Sequence, residues 1–584
     1  MTGPVAGPSL AAMRNKHSGS GLSIRAIAGN HVVALAWDLK REKVDTTHLL
    51  GFAVERTEFK EPARQTVVER YFLRGIKRFE DKDKGLPPGT PVPTSEHPIQ
   101  SFQWGDYTAK PSTAYTYRLV PTTGAPMALT LRDDLAISVD IETEPLHGAV
   151  HSIFFNRGAA GSQAYAREFP DPTPNTADPT APQNAWLSRG LYEALVEFIG
   201  RAKDATYGLR AALYEFHYDP VGRAFKAALD RKVDVKILYD DPTYGADNRK
   251  MINRVGLTKV CAPRKAGGAQ KHNKFIVLLR NGKPVDVWTG STNISDGGIF
   301  GHSNVGHSVH SAQVAGQYLD YWTALCSPIQ PPPAGNKPFG DTRTDPATSV
   351  LVTRNGKANP TPTGNPASGS ITALFSPRDG TTLQWYADRM AKAHEIVCFM
   401  VAFTLAKPFE SFLEADSNVL RFVLSDKQLQ QGPLITRDRD VVYAAGAKFE
   451  KGELPNFLEE KLTGLNKNLY IHDKFMLIDP LGDDPTTVTG SANFSPSSQT
   501  NNDENMLIIR GDQRVADVYF GEFMRLFDHL YARYLAKKIK EEAKKAKPKK
   551  GSGYLRPDAS WVGDHFGTGP KSRRRQYFHG PWQA

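Results

Sequence analysis

Two regimes of hydrophobic patterning divide the chain. From about residue 24 to 144, short segments alternate apolar and polar positions, as in HVVALAWDLK, LLGFAVERTEF, TAYTYRLVPTT and AISVDIETE, without long helical stretches. A period of two marks half-buried strands, so this region predicts a small all-β sandwich. From about 145 the pattern changes. GLYEALVEFIGRA and VGRAFKAALDRK carry apolar residues at helical spacing, whereas YGLRAALYEFHY and VDVKILYDD read as strands. LQWYADRMAKAH, EIVCFMVAF and LRFVLSDK repeat that alternation later, and SIFFNRG near 152 is answered by TALFSPRDG near 371. Alternating helices and strands predict an α/β class. The chain therefore reads as a tandem pair of α/β lobes, 145–327 and 370–535. Between them, 328–369 holds nine prolines and little periodicity, which predicts a linker. Residues 1–23, rich in Gly, Ser and Ala, predict a flexible N-terminus.

At 584 residues the chain is too long for a single core. Cys261, Cys326 and Cys398 are odd in number and widely spaced, which predicts neither a disulfide framework nor a zinc site. No apolar signal segment opens the chain, and the longest apolar run, Ile396 to Ala406, is too short to span a bilayer. The expectation is a cytoplasmic protein, or one exported without a recognisable signal peptide, and not a transmembrane one. Net charge is +11, but residues 536–584 hold 13 Lys or Arg against 4 Asp or Glu, so +9 resides there. This basic C-terminal tail, AKKIKEEAKKAKPKK and then KSRRRQYF, suits contact with an anionic membrane surface or nucleic acid, and equally suits a solvated, partly disordered tail. In the sandwich, Trp37 on an early strand and Tyr115 with Tyr117 on a late one resemble a fibronectin type III or immunoglobulin-like module, read as a spacer without a catalytic role.

Within the lobes, KHNKFIVLLRNGKPVDVWTGSTN (271–293) and IHDKFMLIDPLGDDPTTVTGSAN (471–493) match at an offset of 200 residues. Residues two apart on a strand share a face, so His272 projects with Lys274 and His472 with Lys474, while Phe275 and Phe475 turn toward a core. Gly290 and Gly490 permit close backbone approach, and Ser291, Asn293, Ser491 and Asn493 add hydroxyls and carboxamides. Lys and Asn can bind phosphate oxygens, and Ser can hold the anion or an Asn rotamer. Histidine alone has an unperturbed pKa suited to act as nucleophile or general acid near neutrality. Two such half-sites facing each other flank one phosphorus atom for in-line displacement through a phosphohistidine. The two lysines supply the neutralising charge, so neither metal nor cofactor is expected.

These residues resemble the phospholipase D superfamily, with its H-x-K-x4-D and G-S-x-N signature. His472, Lys474, Asp479, Gly490, Ser491 and Asn493 match it in full. The continuation SPSSQTNNDENMLII is similar to the bacterial endonuclease branch, in which a downstream carboxylate, here Glu504, orients the catalytic His. The resemblance covers about 145 to 535 and implies two α/β/α lobes about a pseudo-two-fold axis, with the active site in the cleft between them. The first copy departs from the pattern: Leu279 stands at the motif Asp position and Asn304 opposite Glu504. By the family's habit His272 is the nucleophile and His472 the acid, but a His472–Glu504 pair favours the reverse, and both assignments stand. Asp479 belongs with Glu504 among the carboxylates, although the family's motif Asp is generally structural. Glu215 in LYEFHY is a candidate either for the missing carboxylate or for a pocket wall.

The motif pair fits a phosphodiesterase whose substrate is a phospholipid or a nucleic acid, and one chain suffices for one active site. Two motifs in one chain and a nearly neutral body favour phospholipid headgroup hydrolysis. A metal-independent endonuclease is the alternative. A non-catalytic binder of phosphate ligands, supported by Leu279 and Asn304, is a second.

Overall fold

The computed structural model describes residues 13–83, 85–86, 90–158, 164–165, 168–169, 174–265, 269–326, 339, 345–402, 405–429, 440–446, 471–543 and 554–582. Two antiparallel sheets enclose the N-terminal core, in which Trp37, Tyr115 and Tyr117 are fully buried. Tyr115 Oη accepts the Lys110 backbone N–H at 2.9 Å, pinning the corner before its strand. The expected flexible N-terminus requires correction. Arg14–Ser18 is a strand that pairs with Leu22–Ala28, and Arg14 reaches Asp517 at 2.7 Å, so polar residues serve an edge strand here. Residues 1–12 lie outside the described part.

Each lobe is built on a seven-stranded mixed sheet. In the first lobe the strands are β1 (His151–Phe155), β2 (Tyr207–Leu213), β3 (Asp234–Asp240), β4 (Cys261–Arg264), β5 (Lys274–Arg280), β6 (Lys283–Gly290) and β7 (Val305–Val309). In the second they are β8 (Ile371–Ser376), β9 (Ile396–Val401), β10 (Leu420–Ser425), β11 (Val441–Ala445), β12 (Phe475–Ile478), β13 (Thr486–Gly490) and β14 (Glu504–Arg510). The order β1-β7-β6-β5-β2-β3-β4 recurs as β8-β14-β13-β12-β9-β10-β11. This identity of strand order is the structural form of the tandem duplication. Apolar strands such as IVCFMV are buried along their whole length because helices cover the sheets.

Helices α1 (Ala312–Cys326) and α3 (Gln513–Ala543) follow the last strands of their lobes. They join both lobes in one core, where Phe155, Phe275, Tyr318, Tyr321, Phe375, Phe475, Tyr519 and Phe523 meet. Tyr321 stacks on Phe375 at 4.4 Å and Phe155 meets Tyr519 edge-on at 5.1 Å, so the aromatic core fixes one lobe against the other. The linker expectation is corrected in part: α2 (Thr348–Ala358) is helical, with Leu351 buried in that core and Asn355 Nδ2 donating to the Pro377 carbonyl at 2.9 Å.

The C-terminal reading changes more. Residues 544–553 lie outside the described part, but α4 (Ser560–Gly563) and α5 (Pro570–His579) fold back on the body. Trp561 enters the sandwich core and donates from Nε1 to the Leu49 carbonyl at 2.9 Å, while Phe578 packs on Phe422 and Phe520. The basic run of KSRRRQYF is engaged in ion pairs: Arg573 with Asp440, Arg574 with Asp528 and Arg575 with Asp38. The segment is thus a strap that ties the sandwich to the second lobe, and those guanidiniums are not a free basic surface. Trp561→Ala is expected to cost about 3–5 kcal/mol, through the cavity left and the lost hydrogen bond. Urea denaturation measures it; a change below about 0.5 kcal/mol would show that the strap carries no stability.

Candidate active site

The motif histidines sit just ahead of their strands, since β5 begins at Lys274 and β12 at Phe475. The alternation expected from sequence holds: Phe275 and Phe475 enter the shared core while the His and Lys pairs face the cleft between lobes. His272 and His472 are 4% and 5% exposed, and their ring centroids lie 6.3 Å apart. At that separation the two imidazoles can address one bound group from two sides. Lys274 Nζ donates to the His272 carbonyl at 2.6 Å, and Lys474 Nζ donates to that of His472. Each ammonium keeps further N–H groups for a ligand. Gly290 is needed where β6 meets β7: at φ +129°, a Cβ would come 2.2 Å from the Val305 carbonyl oxygen. At Gly490 the same clearance, 2.2 Å, separates it from the Asn505 carbonyl oxygen.

The expected His472–Glu504 pair is overturned. Glu504 Oε2 lies 2.9 Å from His272 Nδ1, across the cleft, and Asn304 Oδ1 lies 2.9 Å from His472 Nδ1. The backbone explains the crossing. The His472 N–H donates to the Ser303 carbonyl at 3.2 Å and the Asp503 N–H to the Gln270 carbonyl at 3.0 Å. The residue immediately before each orienting side chain is thus hydrogen-bonded to the facing lobe, so 304 and 504 reach across.

The serines stand behind these groups and not at the cleft. Ser491 Oγ donates to Glu504 Oε2 at 2.7 Å and accepts the Asn505 N–H at 3.0 Å. Ser291 Oγ donates to Asn304 Oδ1 at 2.9 Å and accepts the Val305 N–H at 3.0 Å. Asn304 Nδ2 donates to the Gly298 carbonyl at 2.8 Å, which holds its oxygen toward His472. Because an amide oxygen only accepts, His472 carries its proton on Nδ1.

Glu215, just past β2, accepts from Asn293 Nδ2 at 2.6 Å and contacts neither histidine by any described hydrogen bond. Asn493 is half-buried, and its Oδ1 has no partner among the described residues. Asp479 is corrected as an orienting residue. It lies at the far end of β12 with φ +46°, and its carboxylate accepts the backbone N–H groups of His394, Glu395 and Ile396. Leu279 is buried in the shared core.

Three residues at the site were missed in the sequence. Asp473, fully buried, accepts from Ser291 at 3.2 Å, and burial raises its pKa to about 6. The Asn273/Asp473 difference between the repeats was its visible signal. Tyr214 lies edge-on to His272 at 4.6 Å, and His302 faces His472 at 6.1 Å.

Burial lowers the His272 pKa to about 4, against the pull of Glu504, and takes that of His472 well below the ordinary value, with Lys474 and Lys274 adding to it. Burial likewise lowers Lys274 to about 8 and depresses Lys474 strongly, with Lys274 contributing. A cleft that penalises its own cations in this way is suited to an anion, whose charge reverses the penalty. Among the described residues no group of three or more His, Cys, Asp or Glu could hold a metal ion. No described helix is long and apolar enough to cross a membrane.

Residues 424–527 match the family model described as cardiolipin synthase, PLD-like domain. No curated protein matches the chain. Among solved structures it is similar to polyphosphate kinase from Porphyromonas gingivalis, at 10% identity and a TM-score of 0.35, over 55% of this chain and 43% of that one. The chain thus spans less than half of that protein's length. It is also similar to phosphatidylserine synthase from Haemophilus influenzae Rd KW20, at 12% identity and a TM-score of 0.40, over 63% of this chain and 94% of that one. A third likeness is to Nuc, a phospholipase D family member from Salmonella typhimurium, at 17% identity and a TM-score of 0.21, over 27% of this chain and 95% of that one. The phospholipase D-like match thus falls within the second lobe, and the first lobe repeats that lobe's strand order and its motif.

Proposed function

We propose that the protein is a phosphodiesterase that breaks a P–O bond through a covalent phosphohistidine, with His272 as nucleophile and His472 as general acid. The crossed pairing carries this reading: a carboxylate backs His272 and a neutral amide oxygen backs His472. With its Nδ1–H given to Glu504, His272 presents the Nε2 lone pair to phosphorus, and the carboxylate stabilises the positive imidazole as the P–N bond forms. The leaving oxygen takes its electron pair from the breaking P–O bond and a proton from His472 Nε2. The substrate's negative charge, brought beside His472, opposes the depression of its pKa and supplies the protonated form. In the second step water attacks phosphorus, His472 Nε2 takes the water's proton, and the P–N bond breaks to restore His272. Lys274, Lys474, Asn293 and Asn493 bind the non-bridging oxygens throughout.

The preferred substrate is a phospholipid, cleaved at the headgroup. Both half-sites belong to one chain, so a monomer suffices, and the ion-paired strap removes Arg573, Arg574 and Arg575 from any nucleic-acid footprint. The test is incubation with EDTA, separately on phosphatidylcholine vesicles and on single- and double-stranded DNA or RNA. Choline release undiminished by chelator is the expected result. Shortened polymer without choline release would transfer the reading to an endonuclease, and phosphate-ligand binding with no turnover of any diester would leave a binding protein.

A further inference from the structure

Beside the second motif lies a recess where Ser376, Arg378, Asn493 and Gln499 meet apolar side chains such as Leu374 and Phe494. Its volume is about 20 Å³, room for one or two oxygen-sized atoms and not for a base, an acyl chain or a choline. Arg378 is 3% exposed. Its Nη2 donates to the Asn359 carbonyl and to Thr361 Oγ1, both at 3.0 Å, but Nε and Nη1 have no partner among the described residues. The adjacent Asp379 does not pair with it, since that carboxylate accepts from Thr381 Oγ1 at 2.6 Å. A buried guanidinium with unmet donors is costly unless something anionic meets it. Asn493 of the second motif lines the recess, and a half-turn of its amide exchanges the unpartnered oxygen for a donor.

In the first lobe Arg157 of SIFFNRG stands where TALFSPRDG has Arg378, but its Nε donates to the Trp186 carbonyl at 3.0 Å and its guanidinium lies 4.1 Å from the centre of the Trp186 ring. The first lobe's arginine is thus engaged by Trp186, whereas Nε and Nη1 of Arg378 have no partner among the described residues.

We infer that the Arg378 recess is a second anion subsite, which takes one edge of a carboxylate or phosphate carried by the leaving group. This rests on the phosphodiesterase reading, because the leaving oxygen lies toward His472 and hence toward the second lobe.

The test uses water-soluble dibutanoyl lipids in pairs that differ by one anionic group on the headgroup: phosphatidylserine against phosphatidylethanolamine, and phosphatidylglycerol phosphate against phosphatidylglycerol. The released headgroup is quantified for the full chain. The anionic member of at least one pair is expected to have a kcat/KM about tenfold higher, as one charge-assisted hydrogen bond gives. The pair showing it distinguishes carboxylate from phosphate. In Arg378→Gln the ratio should fall toward one, and Arg378→Lys should restore part of it. Equal turnover within both wild-type pairs, or a preference that survives Arg378→Gln, overturns the subsite; the wild-type ratio stands even if a variant does not fold. Failure to cleave any of the four lipids or bis(p-nitrophenyl) phosphate overturns the underlying phosphodiesterase reading as well.

Discussion

Replacing His272 with alanine is expected to lower turnover about 10⁴-fold or more and to leave no covalent phosphorus label on the protein. Replacing His472 should behave differently, since the two imidazoles have different partners. With ³²P-labelled bis(p-nitrophenyl) phosphate the leaving p-nitrophenolate needs no proton, so the first step survives the loss of His472. The second step does not, because no base remains to activate water. His472→Ala should therefore accumulate label, recovered after a rapid denaturing quench on the peptide that contains His272. The pH dependence of labelling checks the same group. Protonated His272 cannot attack, and burial holds its pKa at about 4, below the ordinary value of 6.5. The labelling rate should stay flat as pH falls through 6.5 and decline only near 4. Label on His272→Ala, or on the peptide containing 472, would reverse the roles.

The half-sites were legible in the sequence because their chemistry is local. A His-x-Lys spacing with Phe after it, followed by Gly-Ser-x-Asn, dictates which side chains share a face whatever the strand packs against. The strand order was legible in kind, since both copies carry the same alternation of helix and strand. What escaped was set between lobes. Glu504 and His272 are 232 residues apart, and a pairing by sequence proximity assigns Glu504 to His472. The role of Ser291 and Ser491 escaped for the same reason: it depends on what occupies 304 and 504. In the C-terminal strap, charge density concealed the apolar residues interleaved with it. Trp561, Phe566 and Phe578 were the sequence's evidence that this segment docks. In 348–358 the helix is short and flanked by prolines, and its only strong sequence signal is Leu351, which anchors it in the core.

Exchanging the orienting residues should move the nucleophile. Glu504→Gln alone is expected to lower kcat about 10³-fold, because it removes the charge that stabilises phosphorylated His272 and lets an amide N–H face Nδ1, which favours the tautomer without a free Nε2 lone pair. Asn502 still donates to the remaining amide oxygen and the Ser491 hydroxyl can accept from the amide nitrogen, so the effect belongs to the charge and the tautomer and not to collapse of the site. Asn304→Asp places a carboxylate on His472 Nδ1, where Ser291 already links it to the buried Asp473. Two carboxylates sharing one serine would hold a proton between them. Asp473→Asn relieves this and reproduces the Asn273 of the first lobe. The triple variant Asn304→Asp/Asp473→Asn/Glu504→Gln thus exchanges the carboxylate and the amide between the two histidines, and the label is expected on the peptide containing His472. A purely structural role for these residues would lower the yield of label without changing its position. If the label remains on His272 in a folded triple variant, the carboxylate does not select the nucleophile, and the asymmetry must come from how the substrate's leaving group is seated against the second lobe.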